Sequence, residues 1–61
     1  MEFNELELNM IVYHTHLNKK FIVSELEDDD FVTLTVDGLD WTLSKRGYNR
    51  IKDEFVLVKA E

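Results

Sequence analysis

Residues 32–46 read VTLTVDGLDWTLSKR, two alternating stretches joined by Asp37-Gly38 and running into Lys45-Arg46. Asp-Gly between alternating runs is the strongest short-range hairpin signal, because a type I′ turn needs positive φ at both central residues. With the turn at Asp37-Gly38, Val36 faces Leu39, Leu34 faces Trp41 and Val32 faces Leu43. All six apolar side chains then share one face, and Thr33, Thr35, Asp40 and Thr42 share the other. A slip of one residue would scatter both sets, so the pattern selects its own register. Trp41, between Leu39 and Leu43, is expected in the core, the default for an aromatic in this pattern.

Upstream, NMIVYHT (9–15) and KKFIVSEL (19–26) are rich in β-branched and aromatic residues, with HLNK (16–19) as the turn between them. Met10/Val12 and Ile11/Tyr13 are both apolar sets, the mark of strands that bend across a barrel or lie between layers. EDDD (27–30) repels itself and favours a solvated loop. Downstream, SKRGYNRIKDE (44–54) carries turn formers and one deeply apolar residue, Ile51, before EFVLVK (54–59) closes the series as a fifth strand. The first eight residues fit either a single helical turn or an extended arm.

The expected order is strand, turn, strand, acidic loop, strand, Asp-Gly turn, strand, short irregular or 3₁₀ link, strand. This order over residues 9–59 resembles the small SH3-like barrels, a group that includes Tudor, KOW and Sm-type domains. The resemblance implies an all-β, five-stranded barrel with a short 3₁₀ turn before its last strand. It names no single family, since the KOW glycine and the Sm signature residues are missing. A two-layer α+β fold is the second reading and requires residues 44–54 to be a helix, which Gly47 and Asn49 disfavour by up to about 1 kcal/mol each.

Sixty-one residues make one domain. A chain of this size buries only about 60% of its extended surface, which limits the core to a few kcal/mol of net stability. There is no cysteine to form a disulfide or a thiolate metal site, and 44% hydrophobic content is that of a globular protein. No apolar run approaches the roughly 18 residues of a membrane helix, and MEFNELELNM lacks a signal peptide's basic-then-apolar layout. These features lead us to expect a cytoplasmic protein. Few alanines and glycines, no proline and abundant Asn, Lys, Ile, Phe and Leu match AT-rich genomes, bacteriophages among them, so a phage-encoded protein acting in a host cytoplasm is the expected source.

The net charge of −6 is unevenly spread. Glu25, Glu27, Asp28, Asp29, Asp30, Asp37 and Asp40 follow one another without an intervening cation. Lys45, Arg46, Arg50 and Lys52 then crowd the next stretch, with Tyr48 among them. Cations beside an aromatic are the ingredients of single-stranded nucleic-acid contact, but the surrounding acidity would repel phosphates beyond that patch. Signs also intersperse on ordinary surfaces, so these cations are expected chiefly to offset the acidic loop.

Other candidate chemistry is sparse. His14 and His16 have strand spacing, about 7 Å apart on one side, and two histidines can begin a zinc site. No third ligand stands at a recognisable spacing, so a polar strand face near a turn is expected, with no metal and no cofactor. Starting an EF-hand at Asp28 puts Val32 and Thr33 where a ligand and a glycine belong. Ser24 and Ser44 lack a nucleophile elbow, there is no Gly-rich phosphate loop, and 61 residues hardly enclose a deep pocket. No catalytic residue is assigned. The leading expectation is a non-catalytic protein-interaction module whose carboxylates meet a protein partner with a basic surface, modulating a host protein. Nucleic-acid binding through residues 45–52 comes second, and an assembly subunit pairing exposed strand edges comes third.

Overall fold

The computed structural model describes residues 1–27 and 29–59. A 3₁₀ turn (Phe3–Glu5) precedes β1 (Ile11–His14), β2 (Lys19–Glu27), β3 (Phe31–Val36) and β4 (Leu39–Ser44). Helix α1 (Lys45–Ile51), a second 3₁₀ turn (Lys52–Glu54) and β5 (Phe55–Lys59) complete the chain. Among the described residues the strands form one antiparallel sheet in the order β4-β3-β2-β1-β5, which does not close, so β4 and β5 each keep one unpaired edge.

Turn chemistry sets the hairpins. Asp37 and Gly38 have φ of 52° and 79°, the two positive values a type I′ turn needs. The pairs Val36↔Leu39, Leu34↔Trp41 and Val32↔Leu43 follow as the alternation requires. Between β1 and β2, Asn18 takes φ of 54° and donates its N–H to the His14 carbonyl at 2.9 Å. The uneven pattern of FIVSEL (21–26) has a cause in β2. Val23 pairs with Leu34 and Glu25 with Thr33, so Ser24 is an extra, bulged residue. The bulge resets the parity and turns Phe21, Val23 and Leu26 to the same side.

That side is the core. Val12, Phe21, Val23, Val32, Leu34 and Phe55 are buried there, and Phe3, Leu6, Met10 and Tyr48 cover them. Fully burying each large apolar side chain contributes about 1.5–3 kcal/mol. Tyr48 stacks on Phe55 with centroids 5.5 Å apart, and Phe3 meets Tyr48 edge-on at 5.8 Å. The first residues are therefore neither arm nor loose end: their 3₁₀ turn is a plug over the core.

Two expectations change. Residues 45–51 are an α-helix rather than an irregular link, although the 3₁₀ turn before the last strand is present. Ser44 Oγ caps the helix by accepting from the Gly47 N–H at 3.0 Å, and burial of Tyr48 outweighs the weak propensity of Gly47 and Asn49. Trp41 has the expected register and face but is 36% exposed. Its ring packs on Phe21 at 5.8 Å, yet β4 ends the sheet and no strand covers its far side. It is a rim residue rather than a core residue.

Candidate interaction surface

The sheet face opposite the core is built in rows by strand register. Across β2, β3 and β4 these rows are Ile22–Thr35–Asp40, Glu25–Thr33–Thr42 and Glu27–Phe31–Ser44. Hydroxyls knit them together. Thr35 Oγ1 is 2.8 Å from both Asp40 Oδ1 and Ser24 Oγ, and the Thr33 and Thr42 hydroxyls are 2.9 Å apart. Ser24 Oγ donates to the Thr33 carbonyl at 3.2 Å. Glu25 and Asp40 stand exposed beside these hydroxyls, Glu27 stands beside the half-exposed Phe31, Ile22 is half-exposed at the other end, and no cation occupies these rows. Lys20 lies beyond Ile22, toward the β1–β2 turn.

The remaining acidic candidates lie at the two ends of β3. Asp29 and Asp30 are exposed in the β2–β3 turn, whereas Asp37 is in the β3–β4 turn. The six-residue strand between them spans about 20 Å. Asp37 Oδ2 also holds Lys19 Nζ at 2.7 Å, an exposed pair worth about 0–1 kcal/mol. The carboxylates therefore form a string along β2–β4 rather than one dense patch. Asp28 lies outside the described residues.

The basic stretch is dismantled by α1. Tyr48 is 0% exposed and its hydroxyl donates to the Met1 carbonyl at 2.8 Å, so it offers no face to a base. Burial, followed by the charges of Glu2 and Glu5, pushes its pKa up to about 12. Lys52 Nζ is bound by both carboxylate oxygens of Glu2 at 2.8 and 3.0 Å. That hydrogen bond raises the Lys52 pKa and lowers that of Glu2. Lys45 Nζ lies over the Phe3 ring at 5.8 Å. Arg46 and Arg50 are exposed one helical turn apart. The aromatic platform expected among these cations is thus absent from the surface.

His14 is buried, not part of a polar strand face. Its Nδ1 accepts the Leu17 N–H at 3.0 Å and its Nε2 stands 2.8 Å from Glu54 Oε1. Both nitrogens are engaged, and the accepting Nδ1 sets the Nε2–H tautomer. His16 follows the end of β1 and is exposed, its ring edge-on to His14 at 6.0 Å. Among the described residues, no three of His, Asp and Glu are grouped to hold a metal ion.

Sequence reasoning missed the apolar surface at the sheet's two ends. Leu39, on the core face of β4, is 70% exposed, and Val56, Leu57 and Val58 are about half exposed along β5. Alternation assigns residues to a face and is silent about which strand lies outermost, so no local signal marked them. A shallow depression of about 210 Å³ between Glu2, Phe3, Asn4, Lys45 and Asn49 is smaller than the roughly 300–1,000 Å³ of small-molecule pockets. Among the described residues, no helix is long and apolar enough to cross a membrane. Comparison with protein-family models, curated proteins and solved structures found no match.

Proposed function

We propose that the chain is a non-catalytic protein-interaction module whose outer face docks against a basic protein surface. The observation that carries this reading is the arrangement of Glu25, Glu27 and Asp40 on one face of β2–β4, exposed along hydrogen-bonded hydroxyls and Phe31 with no cation in their rows. Such a face complements a positive patch and speeds encounter with it, while it repels nucleic acid and anionic lipid. The return of β5 to β1 and the 3₁₀ turn before β5 support an SH3-like small barrel as the scaffold. The composition is one common in AT-rich genomes, bacteriophages among them, and a host protein is the partner we expect.

Parallel affinity captures from a host extract test this, using the parent, a Glu25→Lys/Glu27→Lys/Asp40→Lys variant and an Arg46→Ala/Arg50→Ala variant. A partner retained by the parent and the arginine variant, lost by the lysine variant and associating more slowly as salt rises supports the reading. A low-salt gel shift with single-stranded DNA or RNA that disappears in the arginine variant would overturn it.

A further inference from the structure

We infer that the free edge of β4 accepts an extended segment of the basic partner as a sixth strand. The inference rests on the partner's basic character proposed above and adds its mode of binding. An outermost strand presents a row of backbone N–H and C=O groups that another chain can pair with.

The two faces of β4 specify what the added strand must carry. Toward the core side, Leu39 is 70% exposed and Trp41 36% exposed, with Leu43 half-buried behind them. Toward the outer side, the strand shows Asp40, Thr42 and Ser44. Because side chains alternate, a strand laid on this edge sets every second residue beside Leu39 and Trp41 and the others beside Asp40 and Thr42. The complementary segment therefore alternates apolar with basic or hydroxyl residues. Trp41 suits an anchor: it is held from behind by Phe21 and open in front, as binding hot spots commonly are.

Charge distinguishes this edge from the other one. Asp40 Oδ1 accepts the neutral Thr35 hydroxyl and meets no cation among the described residues, while Asp37 beside it is already paired with Lys19. At the far end of β4 the chain turns at Lys45 into α1, which ends the extended edge there and leaves the Leu39 end as the site of entry. The β5 edge has Val56, Leu57 and Val58 and no carboxylate on the strand, so nothing on it attracts a basic segment.

Trp41 is the sole tryptophan, so its emission reports directly on the edge. The probes are an alternating lysine–valine heptapeptide and its glutamate–valine counterpart, titrated into the parent and into Leu39→Lys, Asp40→Asn and Glu25→Gln/Glu27→Gln variants. Expected are a blue shift of Trp41 and movement of the β4 backbone amide resonances with the lysine peptide only. Leu39→Lys should weaken binding at least about tenfold, Asp40→Asn should reduce its salt sensitivity, and the glutamine variant should bind like the parent. Leu39 is exposed enough that its replacement leaves the fold intact, which circular dichroism checks. Binding that leaves Trp41 and β4 unmoved and needs Glu25 and Glu27 overturns the edge inference while leaving the acidic-face function standing. No binding of the lysine peptide overturns the edge inference, and the extract captures still judge the function separately. Self-association of the parent through β4 overturns it in favour of a second copy.

Discussion

The hydroxyl of Tyr48 donates to the main-chain carbonyl of Met1 at 2.8 Å, joining positions 47 residues apart and locking the N-terminal plug onto α1. Tyr48 also stacks on Phe55, so one side chain connects the helix, the plug and the last strand. Tyr48→Phe keeps the ring and strands the carbonyl. We expect a loss of about 0.5–1.5 kcal/mol by urea denaturation, the net worth of a hydrogen bond to a part-buried acceptor. Tyr48→Ala should cost about 3–5 kcal/mol, comparable to the roughly 3–9 kcal/mol expected of 61 residues, and leave the chain largely unfolded. Near-parent stability of Tyr48→Phe would mean that the bond to Met1 does not hold the plug.

The same residue sets an alkaline limit. Its pKa is raised from an ordinary 10.0 to about 12 because burial disfavours the phenolate. A group whose folded pKa is raised contributes its full stability below the unfolded value and loses it as pH climbs through the folded one. Stability should therefore fall between about pH 10 and 12, with tyrosinate absorbance and loss of circular dichroism rising together. In Tyr48→Phe that coupling should disappear. Ionisation of Tyr48 near pH 10 without unfolding would show that the hydroxyl is open to water.

Trp41 and Phe21 touch at 5.8 Å but should respond differently to truncation. Phe21 is 1% exposed and Phe21→Ala should cost about 3–5 kcal/mol. Trp41 has a third of its surface in water, so Trp41→Ala should cost about 1–2 kcal/mol, a drop in Tm of several degrees. Equal losses in the two thermal melts would return Trp41 to the core.

Gly38 isolates backbone strain from packing. A side chain there meets nothing within 4 Å, but φ is 79°. Gly38→Val should therefore destabilise by about 1–2 kcal/mol through conformation alone. An unchanged melting curve would mean that the Asp37-Gly38 turn takes another form in solution.

Ser44 supplies the cap that starts α1. Ser44→Ala should cost about 1 kcal/mol and raise amide exchange first at residues 45–48, while Ser44→Asp should preserve the helix. Equal exchange in parent and alanine variant would assign the helix entirely to burial of Tyr48.

Period-two alternation and the demand for positive φ at Asp37-Gly38 are local properties of the chain, and they were enough to determine the β3–β4 hairpin, its register and the polar or apolar identity of each face. The same reasoning placed the other three strands to within a few residues, because β-branched and aromatic runs between turn formers have few other uses. Three features were decided only by the tertiary structure. Tyr48 lies among cations in the sequence, and what buries it is Phe55 of the sheet together with the N-terminal 3₁₀ turn that brings in Phe3. Helix 45–51 has weak intrinsic propensity and exists because the sheet gives Tyr48 somewhere to go. Trp41 and Leu39 have a core pattern but stand at the rim, because lateral strand order follows from β5 returning to β1 rather than to β4. Local periodicity encodes which way a side chain points; whether another strand lies beside it depends on contacts between distant parts of the chain.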